Sequence, residues 1–156
     1  MISRFHLVEP GLWVGSCPTG AESSRALAAA GVGAVLSLQT DDDLRALGLR
    51  WEVIWGAHVA AGLAVARVPI RDFDKRHLAA SVEDALAALE ELAEGGRGVF
   101  VHCTAGLNRS TTIVIAALAA RHDITLDEAA RRLMAAHPDA FPYVDALERW
   151  WKRRGR

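Results

Sequence analysis

Short apolar runs that alternate with longer helix-like stretches, and then give way to helices alone, predict an α/β fold. The expected architecture is a central, mostly parallel sheet flanked by helices. Four runs have the length and composition of buried strands: Leu12-Trp13-Val14, Val32 to Leu38, Leu63 to Ile70 and Val99-Phe100-Val101. The segments between them are long enough for helical crossovers, as parallel pairing requires. No repeat, linker or low-complexity break interrupts the chain. Residues 1–156 therefore read as one domain, of a size that buries about 68–70% of its surface on folding.

The elements follow in order. After the first strand, Thr19 and Glu22 have the spacing of a capping box, opening a helix to Ala30. The strand from Val32 to Leu38 stops at the acidic run Asp41-Asp42-Asp43. Trp51 to Ala61 reads as a helix whose Trp51 and Trp55, four apart, are expected in the core. Leu63 to Ile70 is the third strand, and Leu78 to Ala93 a clear amphipathic helix. Beyond Val99 to Val101 three helices remain: Ser110–Arg121, Leu126–Ala136 with Thr125 and Glu128 boxing its start, and Tyr143–Arg153. The tail from Trp150 to Arg156 mixes aromatic and basic residues. It reads as a last amphipathic turn with cations suited to the helix dipole, or as a contact for a polyanion.

Composition narrows the functional classes. A net charge of −1 argues against a general nucleic-acid binder. With two cysteines, Cys17 and Cys103, the chain suits a reducing compartment better than a disulfide framework. Its start lacks a charged-then-apolar signal pattern, and the run Ile113 to Ala120 is far too short to span a bilayer. A cytoplasmic monomer that makes no membrane contact is expected.

Residues 102–110, His-Cys-Thr-Ala-Gly-Leu-Asn-Arg-Ser, carry the chemistry. They join a strand to a helix N-terminus, where unpaired amides and the macrodipole favour an anion. A loop whose amides curl inward forms a nest, here from Thr104, Ala105, Gly106, Leu107 and Asn108. Gly106 permits the positive φ that such a wrap needs, and Arg109 offers a fork for two phosphate oxygens. The same field favours the thiolate of Cys103, the nucleophilic form. By composition, Cys-x5-Arg-Ser/Thr arises roughly once in a hundred chains of this length, and about once in tens of thousands with the His and Gly added, so accident is a poor explanation.

Sulfur attack on a phosphate monoester yields phosphocysteine, and an acid must protonate the departing alcohol. Asp72, in Pro69-Ile70-Arg71-Asp72-Phe73-Asp74, is the candidate, with Asp74 the alternative. Ser110 would hydrogen-bond the Cys103 sulfur and help it leave in the second step, while His102 would orient the loop through the backbone. Cys17 has two readings, a buried free thiol or a partner for Cys103 in a reversible disulfide.

With these residues in place, the chain resembles the dual-specificity branch of the cysteine-dependent protein tyrosine phosphatases, from Gly11-Leu12-Trp13-Val14-Gly15-Ser16 to the last helix. The resemblance implies Cys103, Arg109 and Ser110 as catalytic Cys, Arg and Ser, Asp72 as general acid, and no metal or cofactor. A single tyrosine, Tyr143, and no room for a tyrosine-bearing slot imply a shallow pocket open to phosphoserine, phosphothreonine, phosphotyrosine or a sugar phosphate. Loop positions Thr104, Ala105, Leu107 and Asn108 lack the lysines of phosphoinositide members. Leu36 to Asp43, Arg71-Asp72-Phe73-Asp74 and Phe141-Pro142-x-x-Asp145-Ala146 are also similar to the glucan phosphatases, where Phe73 would stack on a sugar ring. Asn108 in place of their usual Gly, and Ser110-Thr111 where plant members tend to have Ala-Pro, depart from that pattern. Gly106-Leu107-Asn108-Arg109 is similar to RNA 5′-triphosphatases, which typically lack the Asp acid present here. A phosphate-binding module without catalysis would require a broken site, yet every expected group is present. The substrate expected is a phosphorylated protein, with a phosphoglucan the alternative.

Overall fold

Strands β1 (Phe5–Glu9) and β2 (Leu12–Gly15) pair antiparallel at one edge of a sheet completed by β3 (Ala34–Ser37), β4 (Ala64–Arg67) and β5 (Val99–His102). The structure is a computed structural model that describes residues 2–155. Strand order is β1-β2-β5-β3-β4, and every pair but the first is parallel. The mostly parallel sheet flanked by helices is therefore as the sequence predicts. β5 is buried at all four positions and lies between β2 and β3. The carboxyl end of a central strand is where open α/β sheets hold ligands.

The helices are α1 (Ala21–Ala29), α2 (Asp41–Ala46), α3 (Trp51–Ala60), α4 (Lys75–Ala93), α5 (Arg109–His122), α6 (Leu126–Ala136) and α7 (Glu148–Arg153), the last preceded by a 3-10 turn, Val144–Leu147. Alternation along the strands sorts the core into two layers. Val99 and Val101 of β5, with Ala34 and Leu36 of β3, face α4 and α5, whose Leu78, Val82, Leu89, Ile113 and Ala117 meet them. Phe100 and Val35 point the other way, onto Leu27 of α1 and Leu63. α5 is buried from Arg109 to Ala119, which is why its sequence lacks a polar face.

Several boundaries differ from expectation for local reasons. β1 escaped notice because an edge strand has no continuous buried run; Phe5 and Leu7 are exposed. Gly20, not Thr19, caps α1, and Thr19 instead meets the hydroxyl of Ser23, so there is no capping box at that end. Asp41 to Asp43 do more than end a strand. They open α2, capped by Thr40, whose hydroxyl accepts from the Asp43 N–H while the Asp43 carboxylate accepts from the Thr40 N–H. α4 begins at Lys75, three residues before Leu78, because Asp74 caps it. At α6 Thr125 accepts from the Glu128 N–H as expected, but the Glu128 carboxylate pairs with Arg131 and Arg132. The core expectation for the tryptophans fails: Trp55 is half-exposed, and Trp51 lies under the Arg67 guanidinium. The final stretch splits into the 3-10 turn and α7, with Lys152 and Arg153 in its last turn as the dipole favours.

Two buried imidazoles link fold to pH. His58 of α3 meets the Ser24 hydroxyl of α1 at 2.8 Å, and burial holds its pKa down at about 4. Burial likewise pushes His102 down to about 3. Between about pH 6.5 and 4 the unfolded chain binds protons at both sites that the native chain refuses, so stability falls as pH falls through that window. Urea unfolding should show a midpoint that is level near neutrality and declines on acidification. Replacing His58 by Gln should flatten that decline by about 2 kcal/mol at pH 4.5.

Candidate active site

β5 ends by delivering Cys103 to the sheet edge, and the chain turns through residues 104–108 before α5 begins at Arg109. Gly106, at φ +76°, presses this turn against the end of β2. A Cβ there would lie 2.4 Å from the carbonyl carbon of Gly15 and 2.6 Å from the Ser16 nitrogen, so only glycine fits. Every loop carbonyl from Thr104 to Leu107 is taken up by the scaffold. Cys17 N–H donates to Thr104 (3.0 Å), Arg4 to Ala105 (3.1 Å) and His137 Nε2 to Gly106 (2.8 Å). Leu107 accepts from the Thr111 hydroxyl and the Phe141 N–H, both at 2.7 Å. In a trans peptide plane the N–H opposes the C=O, so pulling these carbonyls outward turns the amides to the inner side of the curl.

Arg109 is 1% exposed, and both of its terminal nitrogens have partners. Nη1 donates to Asp43 at 2.6 Å and to the Ile70 carbonyl at 2.8 Å. Nη2 lies 3.4 Å from both the Thr104 hydroxyl and an Asp72 carboxylate oxygen. Burial works against the cation, but hydrogen bonding and charge from Asp43, Cys103 and Asp72 raise its pKa above the ordinary value. Burial likewise acts to raise the Asp43 pKa, yet the Arg109 and Thr40 contacts draw it below the usual carboxylate range. Arg109 Nε is buried and has no hydrogen-bond partner among the described residues. An unfilled donor beside a weakly engaged Nη2 is the edge a phosphate would take in two parallel hydrogen bonds.

Around this edge Asp72, Phe73, Cys103, Ala105, Leu107, Asn108 and Arg109 line a cavity of about 160 Å³. Cys103 Sγ lies 3.2 Å from the Ser110 hydroxyl. His102 donates from Nδ1 to the Cys103 carbonyl at 3.0 Å, one more backbone tether on the turn. Asp72 is a third exposed and adjoins Arg109, whereas Asp74 does not line the cavity. Asp74 accepts from the His77 N–H at 2.9 Å and pairs with Arg71 at 3.1 Å, and those contacts lower its pKa. Phe73 is 81% exposed on the cavity rim. Cys17 is a half-buried free thiol whose pKa burial raises.

Four residues that hold or frame the site were not among the site residues expected from the sequence, although the resemblance named three of them in passing. Asp43 was hidden in an acidic run, although Thr40 three residues earlier was the signal for a helix start that would have aimed it inward. His137 supports the turn from the C-terminal cap of α6, and nothing in its local sequence marks that. Tyr143, whose hydroxyl faces the Asn108 amide at 3.4 Å, and Phe141, 70% exposed beside Leu107, come from the segment after α6.

A buried thiol and guanidinium joined by a five-residue turn between a central strand and a helix define the cysteine-dependent phosphatase class. Residues 12–146 match the family described as dual specificity phosphatase, catalytic domain, and the chain belongs to that family. It is 30% identical over 147 residues to Phosphoglucan phosphatase DSP4, amyloplastic, of Castanea sativa, covering 93% of this chain and 39% of that protein. Against human Dual specificity protein phosphatase 12 the identity is 29% over 133 residues, covering 85% of this chain and 36% of that protein. The chain thus spans well under half the length of these two relatives. Among solved structures, Tk-PTP in the active form superposes with a TM-score of 0.79 at 22% identity over 100% of this chain and 99% of that one. Human DUSP28 gives 0.74 at 24%, over 97% and 95%.

Asp43→Ala would strand the Arg109 cation without its shortest partner. Loss of one member of a buried pair should lower unfolding stability by about 3 kcal/mol, read by urea titration. Affinity for inorganic vanadate should fall at least about tenfold, because the guanidinium loses its orientation.

Proposed function

We propose that this chain is a phosphomonoesterase working through a phosphocysteine intermediate, with phosphoserine, phosphothreonine and phosphotyrosine of proteins as substrates. The observation that carries the reading is the unfilled Nε of buried Arg109, in a cavity that also holds Cys103. A phosphate dianion docks on that edge and on the inward amides of the turn. The sulfur of Cys103 attacks phosphorus, the S–P bond forms and the P–O bond to the alcohol breaks. Asp72, in its acid form, gives its proton to the leaving oxygen. Water then attacks phosphorus, Asp72 takes its proton, and the S–P bond breaks to return the thiolate, which the Ser110 hydroxyl stabilises at 3.2 Å. Charge developing on the equatorial oxygens is met by fixed donors throughout.

A second reading, removal of phosphate from a glucan, is favoured by two exposed aromatic rings beside the catalytic turn. Phe73 stands on the cavity rim and Phe141 donates its N–H to the Leu107 carbonyl with its ring exposed, so each offers a ring on which a sugar could stack. Similarity to the chestnut phosphoglucan phosphatase supports it.

Cys103→Ser should abolish turnover of p-nitrophenyl phosphate while retaining substrate binding; retained turnover refutes the mechanism. Asp72→Asn should slow hydrolysis of alkyl phosphates about a hundredfold or more and of p-nitrophenyl phosphate far less, since that leaving group needs little protonation. The same pattern in Asp74→Asn would transfer the acid role to Asp74. For the substrate class, phosphate released from phosphorylated amylopectin is normalised to p-nitrophenyl phosphate turnover, with Cys103→Ser as blank. A ratio near zero is expected for a protein phosphatase, and a high ratio assigns the glucan.

A further inference from the structure

A groove of about 650 Å³, roomier than the cavity over Cys103, lies between the first turns of α4 and the segment from Asp145 to Arg153. Lys75, Arg76, Arg149 and Arg153 line it, with Asp145 the one carboxylate among its walls. Lys75 and Asp145 pair at 2.9 Å and cancel. Arg76, Arg149 and Arg153 are exposed, and none makes an ion pair or side-chain hydrogen bond among the described residues. Three unneutralised guanidiniums therefore converge over a floor of three alanines and the buried Trp150.

The groove starts where the catalytic cavity stops. Asp72 and Phe73 line the cavity, and two residues on Lys75 lines the groove. Across the gap Lys75 Nζ sits 5.0 Å from the Tyr143 ring centre, and the Tyr143 hydroxyl faces Asn108 of the catalytic turn. A chain whose phosphorylated residue enters the cavity can continue over Tyr143 into the groove without leaving the surface.

We propose that this groove binds acidic residues flanking the phosphorylated site of a protein substrate, an inference that rests on the protein-phosphatase reading above. Carboxylates suit the free guanidiniums, which form forked hydrogen bonds with them. The alanine floor takes the backbone and apolar stems of an extended peptide. Cations spaced around an apolar floor, rather than a continuous basic surface, fit separated carboxylates better than a polyanionic strand. The basic tail of the chain thereby acquires a role beyond complementing its helix dipole.

Two phosphopeptides test this, identical but for a run of glutamates or of glutamines beside the phosphorylated residue. KM for the acidic peptide should be lower in the unaltered protein. The double variant Arg76→Glu/Arg149→Glu should raise that KM about tenfold and leave the glutamine peptide and p-nitrophenyl phosphate turnover unchanged. Equal KM for both peptides, or an equal rise for both in the variant, overturns the proposal. Fluorescence anisotropy with Cys103→Ser reads binding without chemistry. A preference for the acidic peptide there, lost when Arg76→Glu and Arg149→Glu are added to Cys103→Ser, upholds the groove even if no peptide is turned over, an outcome that would count against the catalytic reading instead. Phosphorylated amylopectin competing as well as the acidic peptide would overturn the peptide as occupant.

Discussion

The buried charge of Arg109 is the constraint around which the catalytic end of this molecule is built. A guanidinium removed from water is tolerable only if its donors are met, and its Nη1 partners come from two separate segments. Asp43 arrives from the first turn of α2, and the Ile70 carbonyl from the chain after β4. Asp72 and Thr104 stand at the longer distance of 3.4 Å. One side chain thereby fixes the relative positions of α2, the acid-bearing loop and the catalytic turn. Because Asp43 offsets the cation, much of the attraction for an incoming dianion falls to the turn's amides and the α5 dipole. What Arg109 adds is direction, and its orientation is set before the ligand arrives.

Close packing at the turn follows from the same logic. Gly15 and Gly106 meet where β2 ends. Gly106 needs to be glycine for this contact, and Gly15 needs to be glycine on its other side, where a Cβ would fall 2.0 Å from the Arg4 carbonyl oxygen. With no side chain on Gly106 the turn can lie flat against the strand end, and its carbonyls reach donors on Arg4 just before β1, on Cys17 after β2 and on His137 at the C-terminal end of α6. Thr111 and Thr112, buried in the first turn of α5, return hydroxyls to the Leu107 and Asn108 carbonyls. Thr112 also accepts from the Tyr143 N–H at 2.9 Å, tying the turn to the segment that frames the groove.

What was legible in the sequence was whatever local chemistry dictates. All four parallel strands could be read as apolar runs. Those over β2 and β5 stop one residue short, and those over β3 and β4 run past the strand by up to three residues, since buried loop residues such as Leu38 and Ile70 look like strand. Cys103, Gly106, Arg109 and Ser110 were legible because one turn contains them all. Asp43 and His137 were not, because their meaning lies in contacts across 66 and 31 positions of chain. β1 was invisible for a related reason: its pairing with β2 is tertiary, and its exposed face leaves no apolar stripe. The exposure of Trp55 shows the converse error, in which helical spacing of large apolar residues is taken as burial when nothing packs above them.

Asp72, Phe73 and Asp74 show how a short segment separates duties that composition alone would confuse. Phe73 holds φ +57°, a left-handed conformation that costs a side-chain-bearing residue about 1 kcal/mol or more. The Asp72 carboxylate supports it by accepting from the Phe73 N–H at 3.1 Å. That reversal parts two neighbouring carboxylates. Asp72 is left beside Arg109 and the cavity, while Asp74 turns away to cap α4 and bind Arg71. An extended chain through the same three residues would place both carboxylates on one face, where they would compete for the same cation. The strained residue is also the most exposed large apolar side chain of the described residues, so the bend that parts Asp72 from Asp74 presents an aromatic ring at the mouth of the cavity. Lys75 then begins both α4 and the basic groove. A single kink thus sets where the Asp72 carboxylate stands, which ring occupies the cavity rim, and where the basic groove begins.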